Sequence, residues 1–437
     1  MTGPAGRVDG ADGGPEAGAR GGRQGGPHDG PHDRSQRAVA GHGHGVAPRA
    51  STRVRWVLAL CLLPVVVLTA LGLVTLWPSA DQRPERVPTA AEGSSYLQAD
   101  VLRVLPEARL LEVDVDGRGF ALAQVPPEAL AAGVAEGDRV LLLTIDAEEV
   151  PLVWVDFVRD APIGLLAAAY AVLVVLVARW RGIAAIVGLV VSLGLIAQFT
   201  LPALLAGQPP LLVALVTASA ALFATLYLAH GLNARTTTAL LGTVLGVALT
   251  AVLATWSTEA AVLTGLTSED ALLLPGLAPD VDMRGVVLCG IILAGLGVLN
   301  DVTITQASAV WELRATAPWL GRWELFRRGM RIGRDHIAST VYTIAFAYVG
   351  AALPIMLLIS LYDQPLTRTL TAGEIAEEVV RTLVGSIGLV AAIPLTTAIA
   401  ALVVTAGAVT VGSGQPVTRG RPRGPRPRRA PDAPADA

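Results

Sequence analysis

The sequence contains no lysine: all 33 of its basic residues are arginines. A chain without lysine can form neither a Schiff base through lysine nor a lysine-dependent phosphate-binding loop, which excludes both kinds of site. The two cysteines, Cys61 and Cys289, both lie within apolar runs, which excludes a disulfide framework and a Cys-x-x-Cys metal site. Charged residues are also scarce, at 16% of the chain, against about a quarter in a soluble domain.

Apolar residues are correspondingly abundant. They account for 52% of the 437 residues, and the mean hydropathy is +0.55. This bias predicts several membrane-spanning helices and argues against a soluble enzyme. At 1.5 Å per residue the first apolar segment covers about 31 Å, the thickness of the hydrocarbon core. Eight segments are long enough to be spans: Trp56–Trp77, Ile163–Ala178, Ile183–Leu201, Leu211–Leu228, Thr238–Trp256, Val286–Val310, Ser339–Leu361 and Leu383–Val411.

The charges that flank these segments predict the topology. Arginines cluster in alternate short loops and in the C-terminal tail, whereas the loops around residues 257–284 and 362–382 are acidic. By the positive-inside rule, both termini are then cytoplasmic. We expect a first membrane anchor over 53–78 and a seven-helix membrane domain over 161–411. Residues 1–52 and the Arg/Pro-rich residues 412–437 lack the apolar side chains of a core and are expected to be disordered cytosolic tails.

Residues 79–160 have the pattern of a β-rich domain, which the topology places outside the cytoplasm. Turns at residues 117–119 and 136–138 separate short β-rich runs. A small barrel or a sandwich would fit five such strands, and the turn Glu136–Val140 resembles those of OB-like and biotinyl-like barrels. Whether this domain binds a ligand or is only a spacer stays open. The runs are Tyr96–Leu105, Arg109–Val115, Phe120–Val125, Arg139–Ile145 and Val150–Val155.

The sixth apolar segment has the most informative polar residues. Steps of 100° per residue align small residues at its start with polar residues towards its end. The small residues, Gly290, Ala294 and Gly297, favour close helix packing. A carboxylate at Asp301 would lie within the bilayer, where insertion costs at least about 2.5–3.5 kcal/mol. The polar set is either an ion- or solute-coupling site or a clamp between helices; its members are Asn300, Asp301, Thr305, Ser308 and Glu312.

Residues 311–338 are rich in arginine and tryptophan, which is typical of a helix lying at the cytosolic membrane surface. Asp335 and His336 at its end are candidates for a cytosolic-side proton relay. The sequence has no HExxH, GxSxG or GxGD motif, so we expect no enzymatic activity. We also expect no metal site and no cofactor.

Several motifs resemble the YibE/F-like family of bacterial multi-pass membrane proteins. They are GLNARTTTALLGT, TGLTSEDALLL, CGIILAGLGVLNDVTITQASAVWEL, GMRIGRDHIAST and GSIGLVAAIPLTT. The resemblance covers about residues 95–411 and carries over Gly297, Asp301, Ser308 and Glu312. It implies a bacterial inner-membrane protein and no particular substrate.

The sequence therefore predicts an α-helical polytopic membrane protein with about eight transmembrane helices and a small extracytoplasmic β-rich domain between the first two. Its expected function is that of a secondary transporter or permease with a polar binding stripe in the sixth helix. The alternative is a non-transporting membrane scaffold or sensor that acts through the β domain. Expected partners are the lipid bilayer, an ion or small solute, and a second copy or another membrane protein, but not nucleic acid.

Overall fold

The computed structural model describes residues 51–84, 87–90, 93–145, 152–363 and 365–406. Within these ranges eight helices are long and apolar enough to cross a membrane, which confirms the predicted number. The first is α1 (Thr52–Thr75), and the hydroxyl of Ser51 accepts the backbone N–H of Val54 at its start. Apart from residues 51 and 52, the two predicted tails lie outside the described residues.

A closed five-stranded barrel follows α1. Its strands join in the order β1-β2-β3-β5-β4, with β1 and β4 closing the barrel. The β3–β5 pair is parallel and the others are antiparallel, which is the strand order of an OB-fold. The sequence left barrel and sandwich open, and the structure has the barrel. Its elements are β1 (Ser94–Leu105), β2 (Leu110–Val115), β3 (Gly119–Gln124), the short helix α2 (Pro127–Ala131), β4 (Arg139–Ile145) and β5 (Leu152–Phe157).

Alternation along the strands explains the barrel core. In β2, Leu111, Val113 and Val115 are buried, while Glu112 and Asp114 between them point the other way. The five observed strands match the five predicted runs to within about two residues. Residues 150 and 151, at the start of the fifth predicted run, lie outside the described part of the chain.

The barrel joins the next helix without a free linker. Val158 donates its backbone N–H to the Arg139 carbonyl at 2.8 Å, so it still belongs to the barrel. The next residue, Arg159, already precedes helix α3 (Asp160–Ala178), and its carbonyl accepts the N–H of Ile163 at 3.1 Å. The Arg159 guanidinium also donates to the Asp156 carboxylate at 2.8 Å. Strand β5 and α3 are therefore coupled directly.

The remaining helices form the membrane domain. Helix α4 (Trp180–Leu195) continues through a π-helical turn (Ile196–Thr200) into α5 (Leu201–Leu205), and together they make one span. Helix α3 buries none of its residues and lies at the edge of the described bundle. The other elements are α6 (Pro210–His230), α7 (Ala234–Ala260), α8 (Glu269–Leu277), α9 (Met283–Thr316), α10 (Arg322–Ser360), α11 (Leu366–Leu370) and α12 (Gly373–Ala406).

Helices α7, α9 and α12 make the centre of the bundle, and small residues bring them together. A Cβ added at Gly242 would clash with Thr396 of α12. One added at Gly246 would lie 3.0 Å from Leu299 of α9. Small residues at such points let helix backbones approach closely in a membrane. The hydroxyls of Thr243 and Thr303, 2.6 Å apart, add a buried hydrogen bond between α7 and α9.

The Arg/Trp-rich stretch over residues 311–338 is divided between two long helices, and its location at the membrane surface stays a prediction. Its first residues end α9, and residues from Arg322 onward begin α10, which runs unbroken for 39 residues, about 58 Å. Gly329 and Gly333 hold α10 close to α12. Added Cβ atoms there would lie 2.8 Å from Thr397 and 2.6 Å from Ile393. Packing against α12 thus begins within the stretch that was expected to lie on the membrane surface.

Candidate functional site

The polar stripe of the sixth predicted span lies on the open side of α9. Asp301, Thr305 and Glu312 are exposed in the described chain, and Ser308 is half-buried. The Asp301 side chain is 68% exposed. Asn300 is half-buried, and its Oδ1 atom accepts no hydrogen bond from any described residue. The predicted alignment of these residues on one helix face is therefore present, and that face is uncovered.

Helix α10 brings His336 to this face. The Nε2 atom of His336 lies 3.9 Å from Oδ2 of Asp301, so the two side chains form an ion pair when the imidazole is protonated. At that distance they do not hydrogen-bond directly, and His336 Nε2 has no hydrogen-bond partner among the described side chains and backbone. Asp335, the other member of the predicted relay, is exposed. The structure thus pairs His336 with Asp301 across two helices.

A buried glutamine that the sequence analysis missed fastens α9 to α10. Gln306 is 2% exposed, and its Nε2 donates to the Gly329 carbonyl at 2.7 Å. Five residues separate Gln306 from Asp301, which places the two about 140° apart around the helix. The buried polar groups that join α9 to its neighbours are therefore Gln306 and Thr303. Two sequence features could have indicated this contact. One is a glutamine, Gln306, within an apolar helix, and the other is the pair Gly329 and Gly333, four residues apart in the next helix.

The expected packing role of Gly297 is not what the structure shows. A Cβ added there would meet no described atom within 4 Å, and Gly297 is exposed. Gly290 and Ala294 are half-buried. The glycine of α9 that is packed most closely is Gly285, where an added Cβ would clash with Pro210 of α6. The helical period predicted which residues share a face, but the helices of this chain pack on the other faces.

An ion pair on α12 lies near the start of the same stripe. Arg381 donates to Glu378 at 2.7 Å, and the two side chains are 27% and 21% exposed. The Arg381 Nε atom is buried and has no hydrogen-bond partner in the described structure. Its Nη2 atom is the closest atom to the Cβ position of Gly290, at 3.9 Å. The sequence feature that could have indicated this ion pair is the presence of opposite charges three residues apart, just before the apolar segment.

The site contains two ionisable pairs at different depths. Gly290, beside Arg381, and Asp301, beside His336, are 11 residues apart on α9, which corresponds to about 16 Å along the helix. Among the described residues no group of three His, Cys, Asp or Glu side chains is placed to hold a metal ion. The polar groups along this face are the two charged pairs and the side-chain oxygens of Asn300, Thr305 and Ser308.

The family model for YibE/F-like proteins matches residues 166–406, more than half of the chain. The chain belongs to the YibE/F-like family. No curated protein and no solved structure matches it significantly. The sequence resemblance was expected over about residues 95–411, and the matched segment is shorter at its start, so α1 and the OB-like barrel lie outside it. Asp301, His336 and the Arg381–Glu378 pair all lie within it, so the site is built from the YibE/F-like part of the chain.

Proposed function

We propose that this YibE/F-like protein is a secondary transporter or permease of a bacterial cell membrane that moves an ion or small polar solute along the open face of α9. The observation that carries the proposal is the Asp301–His336 pair, 3.9 Å apart across α9 and α10. Asp301 lies within the predicted sixth span, and His336 lies three residues before the predicted seventh span, Ser339–Leu361. The Asp301 side chain is open to its surroundings. No catalysis is part of the proposal.

The energetics of insertion support a functional role for Asp301. A carboxylate facing acyl chains at mid-helix costs at least about 2.5–3.5 kcal/mol, so a 68% exposed Asp301 side chain requires water, an ion or protein beside it. Helix packing does not need this carboxylate, because Thr303 and Gln306 supply the buried hydrogen bonds of α9. Proton exchange with His336 or cation binding by the carboxylate and neighbouring oxygens are both consistent with this arrangement.

The small residues of α9 provide the rest of the path. Gly290, Ala294 and Gly297 present almost no side-chain bulk between the Arg381–Glu378 pair and the Asp301–His336 pair. A hydrated solute can therefore approach the helix backbone between two polar stations about 16 Å apart. Arginine-rich loops support the orientation in which both termini are cytoplasmic and the barrel is extracytoplasmic. In that orientation Arg381 lies towards the outer side.

The test is flux into proteoliposomes that contain the purified protein. A pH-sensitive dye and a panel of labelled cations and small polar solutes would be followed under imposed proton and sodium gradients. Asp301→Asn keeps the shape of the side chain and removes its charge, so we expect normal abundance and loss of flux. Asp270→Asn, on the exposed helix α8, is the matched control and should leave flux unchanged. Equal flux in wild type and Asp301→Asn, or no flux in wild type under any gradient, would overturn the proposal.

A scaffold or sensor is the second candidate, and one surface of the barrel favours it. Phe120 is 85% exposed and Leu122 is 48% exposed, both on β3. Their strand partners are Asp114 and Glu112, and Glu112 also forms an ion pair with Arg103 at 3.8 Å. An exposed aromatic side chain beside an exposed leucine is typical of a contact surface for another protein. The test compares the proteins cross-linked to the wild type and to Phe120→Ser in cells. Loss of a cross-linked protein in the variant would support this candidate, and an unchanged cross-linking pattern would contradict it.

A further inference from the structure

A long apolar groove lies between α1, α6 and α7. It consists of two neighbouring cavities, of about 400 Å³ and about 560 Å³, whose linings share Leu215 of α6 and Ala248 of α7. Each is within the size range of ligand-binding pockets in proteins, about 300–1,000 Å³. Helix α1 lines the 400 Å³ cavity, and only α6 and α7 line the 560 Å³ cavity. Helix α1 touches α6 closely at Gly72, where an added Cβ would clash with Val216.

The walls of the groove suit a hydrocarbon chain and not a polar solute. Most lining side chains are aliphatic, including Leu68, Leu212 and Val244. The hydroxyls of Thr69 and Thr75 donate to carbonyls of their own helix, at 2.7 and 2.9 Å. These hydroxyls are therefore satisfied within the helix and do not need a ligand. An occupant gains from burying methylene groups, at about 0.8 kcal/mol each.

One end of the groove carries a carboxylate and an indole. Glu259 and Trp256 line it near the end of α7, and Trp256 is 67% exposed. In the described structure no arginine or histidine forms an ion pair with Glu259, whose side chain is exposed. An uncompensated carboxylate favours a cationic group, and a tryptophan face adds attraction for an ammonium. Tryptophan is also typical of the level of lipid headgroups.

The length of the groove matches one leaflet. Ala248, where the two cavities meet, and Glu259 are 11 residues apart on α7, about 16 Å along the helix. Half of a hydrocarbon core of about 30 Å is nearly the same distance. When Glu259 lies at headgroup level, the junction of the cavities therefore lies near the bilayer midplane.

We propose that this groove is a binding site for a phospholipid with a primary-ammonium headgroup, such as phosphatidylethanolamine. An acyl chain lies between α1, α6 and α7, and the ammonium pairs with Glu259 beside Trp256. The site is separate from the Asp301 face, so the proposal stands or falls independently of transport.

The experiment uses the full-length protein in nanodiscs of equimolar phosphatidylethanolamine and phosphatidylglycerol with identical acyl chains. Lipids retained after transfer to detergent would be counted by native mass spectrometry. We expect phosphatidylethanolamine to be enriched roughly two- to fivefold over the bulk ratio, the range for an exposed ion pair. Glu259→Gln should return the retained lipids to the bulk ratio. Glu269→Gln, which removes an exposed carboxylate of α8, is the matched control and should keep the enrichment.

A second variant tests the acyl chain. Ala248→Phe fills the junction of the two cavities from an exposed position on α7 and should lower the number of retained lipids of both kinds. Retention at the bulk ratio by the wild type would overturn the proposal. So would enrichment that persists in Glu259→Gln, or an unchanged lipid count in Ala248→Phe with the variant folded by thermal unfolding.

Discussion

Gly333 is the position where the packing of α10 can be tested most directly. Alanine at this site adds a Cβ that would lie 2.6 Å from Ile393 Cγ2 and 3.1 Å from Gln306 Oε1. Real Cβ atoms do not approach carbon that closely, so α10 must move away from α12 and α9. That movement also stretches the hydrogen bond from Gln306 to the Gly329 carbonyl, which is 2.7 Å in the native chain.

The expected loss of stability is a few kcal/mol. Overpacking in a close-packed interior costs about 1–3 kcal/mol, and an interhelical hydrogen bond in a membrane is worth roughly 0.6 kcal/mol. Alanine recovers about 1 kcal/mol through its higher helix propensity. We therefore expect Gly333→Ala to lower the free energy of unfolding by roughly 0.6–2.6 kcal/mol in detergent micelles, measured by denaturant unfolding.

The matched control is Gly350→Ala in the same helix. A Cβ at Gly350 would meet no described atom within 4 Å, so only the propensity gain remains and stability should stay equal or rise slightly. Equal unfolding curves for the two variants would refute the packing of α10 described above. Gly333→Ala should also lower flux, if flux is observed, because His336 lies one turn further along α10 from Gly333 and would move from Asp301.

Two further predictions concern α9 and the barrel. Gly242→Ala, opposite Thr396, should lower protein abundance and thermal stability, whereas the open Gly297→Ala should be tolerated; a worse defect at Gly297 would mean that a second chain covers this face. In the barrel, the Arg159 guanidinium lowers the pKa of the Asp156 carboxyl below its ordinary 3.8. This pair therefore stabilises the barrel above that value, and the contribution is lost as the pH falls through the lower folded value. Asp156→Asn should remove this pH dependence in hydrogen exchange of β5, and identical pH profiles would argue against the pair.

The sequence was sufficient for local elements and insufficient for their contacts. Alternation in residues such as Leu111 and Val113 predicts strands because one face of each is buried, but the order β1-β2-β3-β5-β4 depends on non-local pairing that alternation does not encode. The membrane spans were predictable in the same local way. The ends of the helices were less predictable, because a helix can continue beyond its apolar segment when no residue interrupts it. Helix α10 begins at Arg322, 17 residues before the predicted span Ser339–Leu361.

The sequence also did not predict which face of α9 packs against the other helices. The period of the helix correctly places Gly297, Asp301 and Thr305 on one face. Both sides of α9 are rich in small or apolar residues, however, so the sequence does not say which side meets the bundle. That is decided by the glycines of its neighbours, such as Gly246, and by Gln306. The partnership of Asp301 with His336 was missed because the two belong to different helices.

Strand β5 and helix α3 follow each other without a flexible linker, so the orientation of the barrel is coupled to that of α3. Val158 is still hydrogen-bonded to β4 and Arg159 already accepts from Ile163, so rotation of the barrel must turn the start of α3 with it. Helix α3 buries none of its residues, and it packs closely against α4 at Gly182, where an added Cβ would clash with the Val174 carbonyl. On the other side of the barrel, 18 residues separate Thr75 from Ser94, so the connection to α1 is much longer than the connection to α3. A change in the orientation of the barrel would therefore be passed directly to α3 and, through the Gly182 contact, to α4.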